Sequence, residues 1–234
     1  MKAAILYYTH GLAPALVLQA ARAQLVRCKN GDELVSVSQS PLDFGDVRIV
    51  MPIKPSVLAM FRQILAGLEA TSADTVFMAE HDVIYHPSHF EFVPPRMDCY
   101  YYNTNVWMVD FHSGKAIYYD GAAKVSGLVA SRELLLEHYR RKIAQVERDG
   151  FSHRAIGYEP GRKRRRDDYE AEHFQSRVPN LDIKHAGCVT RGRFSLDQYS
   201  AGGRRIKDTW TEAEDIFYWG RTGGRMQEFL QALT

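Results

Sequence analysis

The first third of the chain alternates short apolar runs with longer stretches in which apolar residues recur at helical spacing. Apolar runs at residues 2–8, 33–38, 47–51 and 74–79 predict buried strands. A helix is predicted from Pro14 to about Cys28, and a second opens at Pro55, with apolar residues along one face. The order strand, helix, strand, strand, helix, strand predicts a mostly parallel sheet with helices on both faces.

The rest of the chain is predicted to continue this α/β fold. Further predicted strands lie at residues 100–111, 115–119 and 181–185, the first two joined by a hairpin. A strong amphipathic helix is expected at 131–146 and a short helix at 168–177. Between these helices, residues 150–166 are polar and rich in Gly and Arg, which predicts a loop.

The length and composition predict one soluble domain over residues 1–234. Apolar residues make up 45% of the chain and charged residues 25%, a balance that excludes disorder of the whole chain. We expect no membrane span, because no run of about 18 apolar residues is present, and no signal peptide, because polar residues interrupt the first apolar run. The scattered Cys28, Cys99 and Cys188 favour free thiols in a reducing cytoplasm.

Positive charge is unevenly distributed, although the net charge of the chain is only +2. Residues 162–166 form one basic block, and the C-terminal third is locally basic. Such a block is either a solvated loop or a surface that contacts nucleic-acid phosphates, with binding that weakens steeply with salt. The candidate phosphate contacts are Arg164, Arg165, Arg166, Arg191 and Arg193.

An acidic motif, Glu80-His81-Asp82, follows the predicted strand at 74–79. Open parallel sheets bind ligands outside the carboxyl ends of their strands, and residues two apart in extended backbone point to the same side. Carboxylate oxygens suit Mg²⁺ or Mn²⁺, which bridge to substrate phosphates. The alternative is a solvated acidic pair in a surface loop. His86 and His89 form either a second metal site or a structural pair in a polar turn.

Residues 75–90, TVFMAEHDVIYHPSHF, resemble the segment around the D-x-D motif of GT-A glycosyltransferases. The resemblance implies a single GT-A-like (Rossmann-like) domain, with a nucleotide-sugar-binding half at 1–112 and an acceptor-binding half at 113–234. It implies that Asp82 holds a divalent metal and that Glu80 contacts the ribose or the water shell of the metal. The chain departs from the family pattern with Glu at the first position and His at the middle one.

Three later segments resemble the same family in the expected order. Residues 121–139 resemble the family's segment beside the acceptor site, and His185 resembles its C-terminal metal-ligand histidine. The pair Asp167-Asp168 resembles the acidic pair that carries the general base in inverting members. The alternative for this pair is a plain helix cap, and Glu159 is a reserve base candidate.

The resemblance implies a nucleotide-diphosphate sugar as donor, with Mn²⁺ or Mg²⁺ as cofactor. The candidate nucleotide contacts are Tyr8, Thr9, His10, Glu80 and His81. Tyr8 can equally belong to the core. Arg62 is either a diphosphate ligand or a solvated arginine.

In size and layout the chain also resembles phage glycosyltransferases that decorate hydroxymethylated DNA bases. That resemblance implies a DNA acceptor and a location in the host cytoplasm. Two other functions stay open. A nucleotidyltransferase can share the sheet and the metal site, but it usually has a basic residue in the loop after the first strand, and THGLAPA has none. A non-catalytic nucleic-acid-binding protein would use the basic block alone.

Overall fold

The computed structural model describes residues 1–161, 169–188, 192–199 and 204–234. The helices are α1 (Ala15–Cys28), α2 (Val57–Ala70), α3 (Arg132–Asp149), α4 (Arg204–Thr209) and α5 (Met226–Ala232). The strands of the first half are β1 (Ala3–Thr9), β2 (Glu33–Ser38), β3 (Val47–Val50), β4 (Thr75–Glu80), β5 (Val83–Ile84), β6 (Cys99–Asn103) and β7 (Val106–Asp110). The later strands are β8 (Ala116–Tyr118), β9 (Leu128–Ser131), β10 (Glu170–Phe174), β11 (Asn180–Lys184), β12 (Thr211–Ala213), β13 (Asp215–Ile216) and β14 (Gly220–Arg221).

A seven-stranded sheet in the order β10-β6-β9-β4-β1-β2-β3 forms the centre of the fold. Strands β3, β2, β1 and β4 run parallel, and β9 inserts antiparallel between β4 and β6. A second, five-stranded sheet has the order β12-β8-β7-β11-β5, and β13 pairs with β14 alone. The prediction of an α/β fold with a mostly parallel main sheet is confirmed.

Successive side chains of a strand point to opposite faces of the sheet, and in the main sheet both sets are apolar. Helices therefore cover both of its faces. On one face, Leu6 of β1 packs in a core with residues of α2 and α3. On the other face, Ile5 and Tyr7 pack in a core with Leu25 and Cys28 of α1. All of these side chains are buried. Strand β1 is therefore central, and the residues that follow its carboxyl end are held by a well-packed part of the sheet.

Local sequence signals fix the ends of the two helices on the α2–α3 face. Ser56 caps α2, accepting a hydrogen bond from Ala59 N at 3.0 Å. Ser131 caps α3 in the same way, and Gly150 ends it with a φ of +75°. The predicted helices at both places are confirmed, and the cap of α2 holds its first turn at the edge of the sheet.

The structure contradicts the helix predicted at 168–177. Residues Glu170–Phe174 form the edge strand β10, which pairs parallel with β6. Phe174 also stacks on Phe92, with ring centroids 3.9 Å apart. The free edge of β6 and this aromatic contact outweigh the local preference of the segment for helix.

The predicted strand at 100–111 is two strands, β6 and β7, which belong to different sheets. The chain turns between them, where Asn103 Oδ1 accepts a hydrogen bond from Asn105 N at 3.0 Å. The hairpin predicted after it is confirmed, because β7 and β8 pair antiparallel. None of the helices in the described ranges is long and apolar enough to cross a membrane.

Candidate functional site

A cavity of about 680 Å³ opens where β1, β4 and β11 end. Its size lies within the range of sites that bind small molecules and cofactors. The side chains that follow β1 and β4 line it together: Tyr8, Thr9, His10, Glu80, His81 and Asp82. The topology thus brings these candidate residues to one place, at the carboxyl edge of the parallel strands.

Three side chains beside the cavity form a candidate cation site. Ligand atoms of His81, Asp82 and His185 all lie within 4.8 Å of one another. The three residues are 8–9% exposed, and His185 Nε2 lies 3.6 Å from Asp82 Oδ2. Within the described part of the chain, both ring nitrogens of His81 and Nε2 of His185 are buried without a hydrogen-bond partner. Asp82 and His185 follow the ends of β4 and β11, and they are about 100 residues apart in the chain.

The residues present fit a divalent cation. Buried polar nitrogens without a partner are uncommon, because leaving them unpaired is unfavourable. Burial alone would raise the pKa of Asp82, but His81, His185 and Lys184 hold it below its ordinary value. Asp82 is therefore a carboxylate facing two imidazoles, a donor set that binds divalent metals.

Glu80 lies outside this cluster. Tyr8 donates a hydrogen bond from its hydroxyl to Glu80 Oε1 at 2.6 Å, and the Glu80 backbone N–H donates to the hydroxyl of Tyr85 at 3.1 Å. Burial and the neighbouring Asp82 carboxylate raise the pKa of Glu80. Glu80 thus fixes the ring of Tyr8 at the cavity wall, and its contact with the ribose or the water shell of a metal stays a prediction.

A buried ion triad forms another part of the wall. Asp182 Oδ2 accepts from Lys124 Nζ at 2.6 Å and lies 2.9 Å from Lys184 Nζ. The three side chains are only 3–19% exposed. Burial would lower the pKa of Lys184, but the carboxylates of Asp182 and Asp82 raise it above its ordinary value. Two ammonium groups therefore lie in the cavity wall beside the cation site, where they can contact an anionic ligand.

This triad was not predicted from the sequence. The available signal was the alternation of Asp182 and Lys184 at the end of a predicted buried strand, where two polar residues on one face are unusual. Lys124 carries no comparable signal, because it lies between strands and reaches Asp182 only through the fold.

Two glutamines were also missed at the end of the cavity nearest β2. Gln63 of α2 is buried and donates from Nε2 to the carbonyl oxygens of Thr9 and Val37, at 2.9 and 3.0 Å. Its Oε1 accepts a hydrogen bond from Gln39 Nε2 at 3.2 Å. Because Gln63 is fixed by two backbone carbonyls, the amide of Gln39 is oriented at the cavity wall. The backbone N–H of Gln39 also donates to Thr9 O at 3.2 Å, and Gln39 lines the cavity together with Thr9 and His10.

Aromatic side chains extend one rim of the cavity. The rings of Tyr119 and Trp210 are parallel to within 2°, with centroids 6.4 Å apart, and Tyr199 makes edge contacts with both. The guanidinium of Arg193 lies 5.2 Å from the centre of the Tyr199 ring. Arg193 therefore packs on Tyr199, which contacts Tyr119, and the Tyr119 side chain lines the cavity.

Other candidate residues lie away from the site or outside the described residues. Arg62 does not line the cavity, because it is exposed and pairs with Glu147 at 2.7 Å. This surface position matches the alternative of a solvated arginine. The remaining candidates outside the described residues are Arg164, Arg165, Arg166, Asp167, Asp168 and Arg191. The helix expected to begin at the Asp167-Asp168 pair is absent, since the described chain that follows forms β10.

His86 and His89 do not form a metal site with each other. His89 is fully buried, and its Nδ1 lies 2.9 Å from Asn103 Nδ2. His86 accepts a hydrogen bond from Ser88 N at 3.1 Å and touches the ring of Tyr218. The two side chains thus have separate structural contacts, as in the structural alternative.

No protein-family model and no curated protein matches the sequence. Among solved structures, the chain is similar to a glycosyltransferase involved in the glycosylation of the major capsid of PBCV-1, with 10% identity and a TM-score of 0.48 over 75% of this chain and 82% of that one. The apo form of the glycosyltransferase GlyE from Streptococcus pneumoniae TIGR4 has 13% identity and a TM-score of 0.42, over 74% of this chain and 45% of GlyE.

A nucleotidyltransferase is among the similar structures too. The inositol-1-phosphate CTP transferase from T. maritima has 11% identity and a TM-score of 0.41, over 89% of this chain and 95% of that one. At these identities and scores the similarities do not decide between the two activities.

Proposed function

We propose that the chain is a metal-dependent glycosyltransferase of the GT-A type, which moves a sugar from a nucleotide-diphosphate sugar to an acceptor hydroxyl. The observation that carries the proposal is the cluster of His81, Asp82 and His185 beside a nucleotide-sized cavity. Asp82 occupies the position that the D-x-D resemblance gives to the metal ligand. A divalent cation there supplies Lewis-acid stabilisation of the departing diphosphate.

Different parts of the cavity wall are suited to different parts of the donor. Lys124 and Lys184 face the anionic diphosphate, and their shared partner Asp182 holds both ammonium groups in place. Gln39 and Thr9 lie where a nucleobase can exchange hydrogen bonds, with His10 beside them. This arrangement supports a donor-binding half at 1–112, completed by residues from the later half.

Sugar transfer also needs a base that accepts the proton of the acceptor hydroxyl. As that oxygen bonds to the anomeric carbon, the bond from this carbon to the diphosphate oxygen breaks and the nucleoside diphosphate departs. Asp168 remains our first candidate for the base and Asp167 the second. Glu159 is the reserve candidate, and its position in the cavity wall supports it.

For the acceptor we propose a hydroxymethylated base in DNA, bound by the half at 113–234. The support is the rim of Tyr119, Tyr199 and Trp210 with Arg193 beside it, because stacking rings and cations together suit a nucleic-acid strand. Arg191 lies two residues before Arg193 in the sequence. A base in duplex DNA would have to leave the stack to reach the cavity.

The test is to incubate the protein with Mn²⁺, a panel of nucleotide sugars and DNA that contains hydroxymethylated bases. Mass spectrometry then measures the transfer of one sugar to the DNA. We expect a mass gain that Asp82→Asn reduces by at least about 100-fold. Asp74→Asn, at the opposite end of β4, is the matched control and should retain activity.

Two results would favour the rival functions. Release of pyrophosphate from a nucleoside triphosphate, without sugar transfer, would indicate a nucleotidyltransferase. DNA binding that Asp82→Asn leaves unchanged, with no transfer from any donor, would indicate a non-catalytic nucleic-acid-binding protein.

A further inference from the structure

We propose that Lys142 and Tyr102 are positioning residues, which fix the backbone on either side of Glu159 and so hold its carboxylate at the cavity wall for the acceptor hydroxyl. Glu159 belongs to the loop of residues 150–161 that follows α3, called here the Glu159 loop, and it lines the cavity. The catalytic meaning of this inference rests on the proposed function, but the anchoring itself is measurable without turnover.

The ammonium group of Lys142 holds the chain just before Glu159. Lys142 belongs to α3 and is only 4% exposed. Its Nζ donates hydrogen bonds to the backbone carbonyls of Gly157 and Tyr158, both at 2.9 Å, and lies 5.3 Å from the centre of the Phe61 ring. Burying a charge is unfavourable unless it is hydrogen-bonded, so displacing these carbonyls would leave the ammonium poorly solvated. The loop is therefore tied to α3 at the two residues that precede Glu159.

A second buried side chain holds the chain just after Glu159. Tyr102 of β6 is fully buried, and its hydroxyl donates a hydrogen bond to Pro160 O at 2.8 Å. The next residue, Gly161, approaches the main sheet so closely that a Cβ atom there would lie 2.6 Å from Cβ of Ala171. This end of the loop is therefore tied to the main sheet, and Glu159 lies between two anchored segments.

The part of the loop that precedes these anchors is packed as well. Ile156 is 3% exposed and lies in the same core as α2 and α3. The carbonyl of Ser152 accepts hydrogen bonds from the backbone N–H groups of Ile156 and Gly157, at 2.8 and 3.1 Å. Gly157 has a φ of +59°, a conformation that favours glycine. The turn closes on itself before the chain reaches Glu159, which limits the movement of its backbone.

The two anchoring side chains act through the loop. Neither Lys142 nor Tyr102 is among the described residues that line the cavity, whereas Glu159 is. A carboxylate that receives a hydroxyl proton or orients that hydroxyl must lie within hydrogen-bond reach of it. A misplacement of about 1 Å can lower the rate by about 100-fold. Fixing the backbone on both sides of Glu159 is therefore a way to keep its carboxylate in place during transfer.

The first test is backbone hydrogen exchange of the full chain, measured by mass spectrometry on peptides that cover residues 150–161. Lys142→Met keeps the length of the side chain without the ammonium, and Tyr102→Phe removes only a hydroxyl. Each should speed exchange in the Glu159 loop by at least about 10-fold, because a buried hydrogen bond is lost. Tyr101→Phe is the matched control, since Tyr101 lies on the opposite face of β6 and its hydroxyl accepts from Arg96 N at 3.2 Å. It should leave this exchange unchanged.

The second test is sugar transfer by the same variants. Lys142→Met and Tyr102→Phe should each lower kcat at least about 10-fold and leave KM for the nucleotide sugar within about 2-fold, because the donor contacts lie elsewhere in the cavity. In a protein that already carries Glu159→Gln, either substitution should lower kcat further by less than about 2-fold. The reason is that the carboxylate that both residues position is then already lost.

Loop exchange that stays unchanged in both variants would overturn the anchoring. Losses of kcat that add in full to that of Glu159→Gln would overturn the positioning role, because Lys142 and Tyr102 would then not act through Glu159. If Lys142→Met does not fold, Tyr102→Phe decides both points. Faster loop exchange in a protein whose wild type transfers no sugar from any donor would refute the proposed function and leave the anchoring standing.

Discussion

At the scale of single residues, the cavity depends on charged groups that are buried and paired. Asp182 is the shared partner of Lys124 and Lys184, and its carboxylate is 3% exposed. Burial lowers the pKa of Lys124, because a charged ammonium is poorly solvated in the cavity wall, and Asp182 opposes that effect. Asp182 therefore keeps two cations in a place where neither would be stable alone.

Asp182→Asn should destabilise the fold, because it leaves two buried ammonium groups without their counter-ion. Losing one partner of a buried ion pair costs about 3–5 kcal/mol of unfolding free energy. The measurement is urea denaturation of the wild type and the variant.

Glu147→Gln is the control for that measurement. Its partner Arg62 is on the surface, so we expect a loss below about 1 kcal/mol. Equal losses in the two variants would contradict the structural role given to Asp182.

At the scale of elements, Ser56 stabilises the N-terminus of α2. Its side chain accepts the Ala59 N–H, a donor that the helix itself cannot satisfy. Ser56→Ala should therefore cost about 1 kcal/mol of unfolding free energy, whereas Ser56→Thr, which keeps the acceptor oxygen, should cost less. Thermal and urea unfolding of the two variants measure the difference, and identical stabilities would argue against the cap.

The elements that the sequence predicted correctly have a strong local pattern. Strands β1, β2 and β4 are short apolar runs, and α1 to α3 combine apolar faces with clear starts and stops. Strand β10 was predicted as a helix, because its neighbour β6 lies some 70 residues earlier and no local pattern reveals that pairing. Strand pairing over such a distance is set by the fold as a whole.

The same difference between local patterns and long-range contacts applies to the candidate site. The acidic motif at Asp82 was found from the sequence because it follows a predicted buried strand, and His185 was found because its segment resembles the C-terminal metal-ligand histidine of GT-A glycosyltransferases. Lys124, Gln39 and Cys188 were missed as cavity residues, since each lies in a loop and reaches the cavity only through the topology. Contacts between separate loops are not visible as a periodic pattern.

At the scale of the whole molecule, buried histidines make stability depend on pH. Burial lowers the pKa of His89 to about 3, so His89 is neutral in the native state. In the unfolded chain its pKa is about 6.5, so the unfolded state binds the extra proton between these values. The native state therefore loses stability as the pH falls below about 6.5.

From pH 6.5 to 5, His89 alone should account for about 2 kcal/mol of that loss. His89→Gln keeps an acceptor for Asn103 and cannot take up the proton. Its unfolding free energy should therefore fall less over this interval than that of the wild type. Parallel pH dependence of the two proteins would refute the prediction, whatever their absolute stabilities.

The fold as a whole brings β4 and β11 together so that a cation can link Asp82 and His185 to the donor diphosphate. The most direct test is calorimetric titration of the protein with a nucleoside diphosphate, once in the presence of Mn²⁺ or Mg²⁺ and once in the presence of EDTA. The wild type should bind at least about 10-fold more tightly with the cation, and Asp82→Asn should show no such gain. Equal affinity with the cation and with EDTA in the wild type would contradict the account.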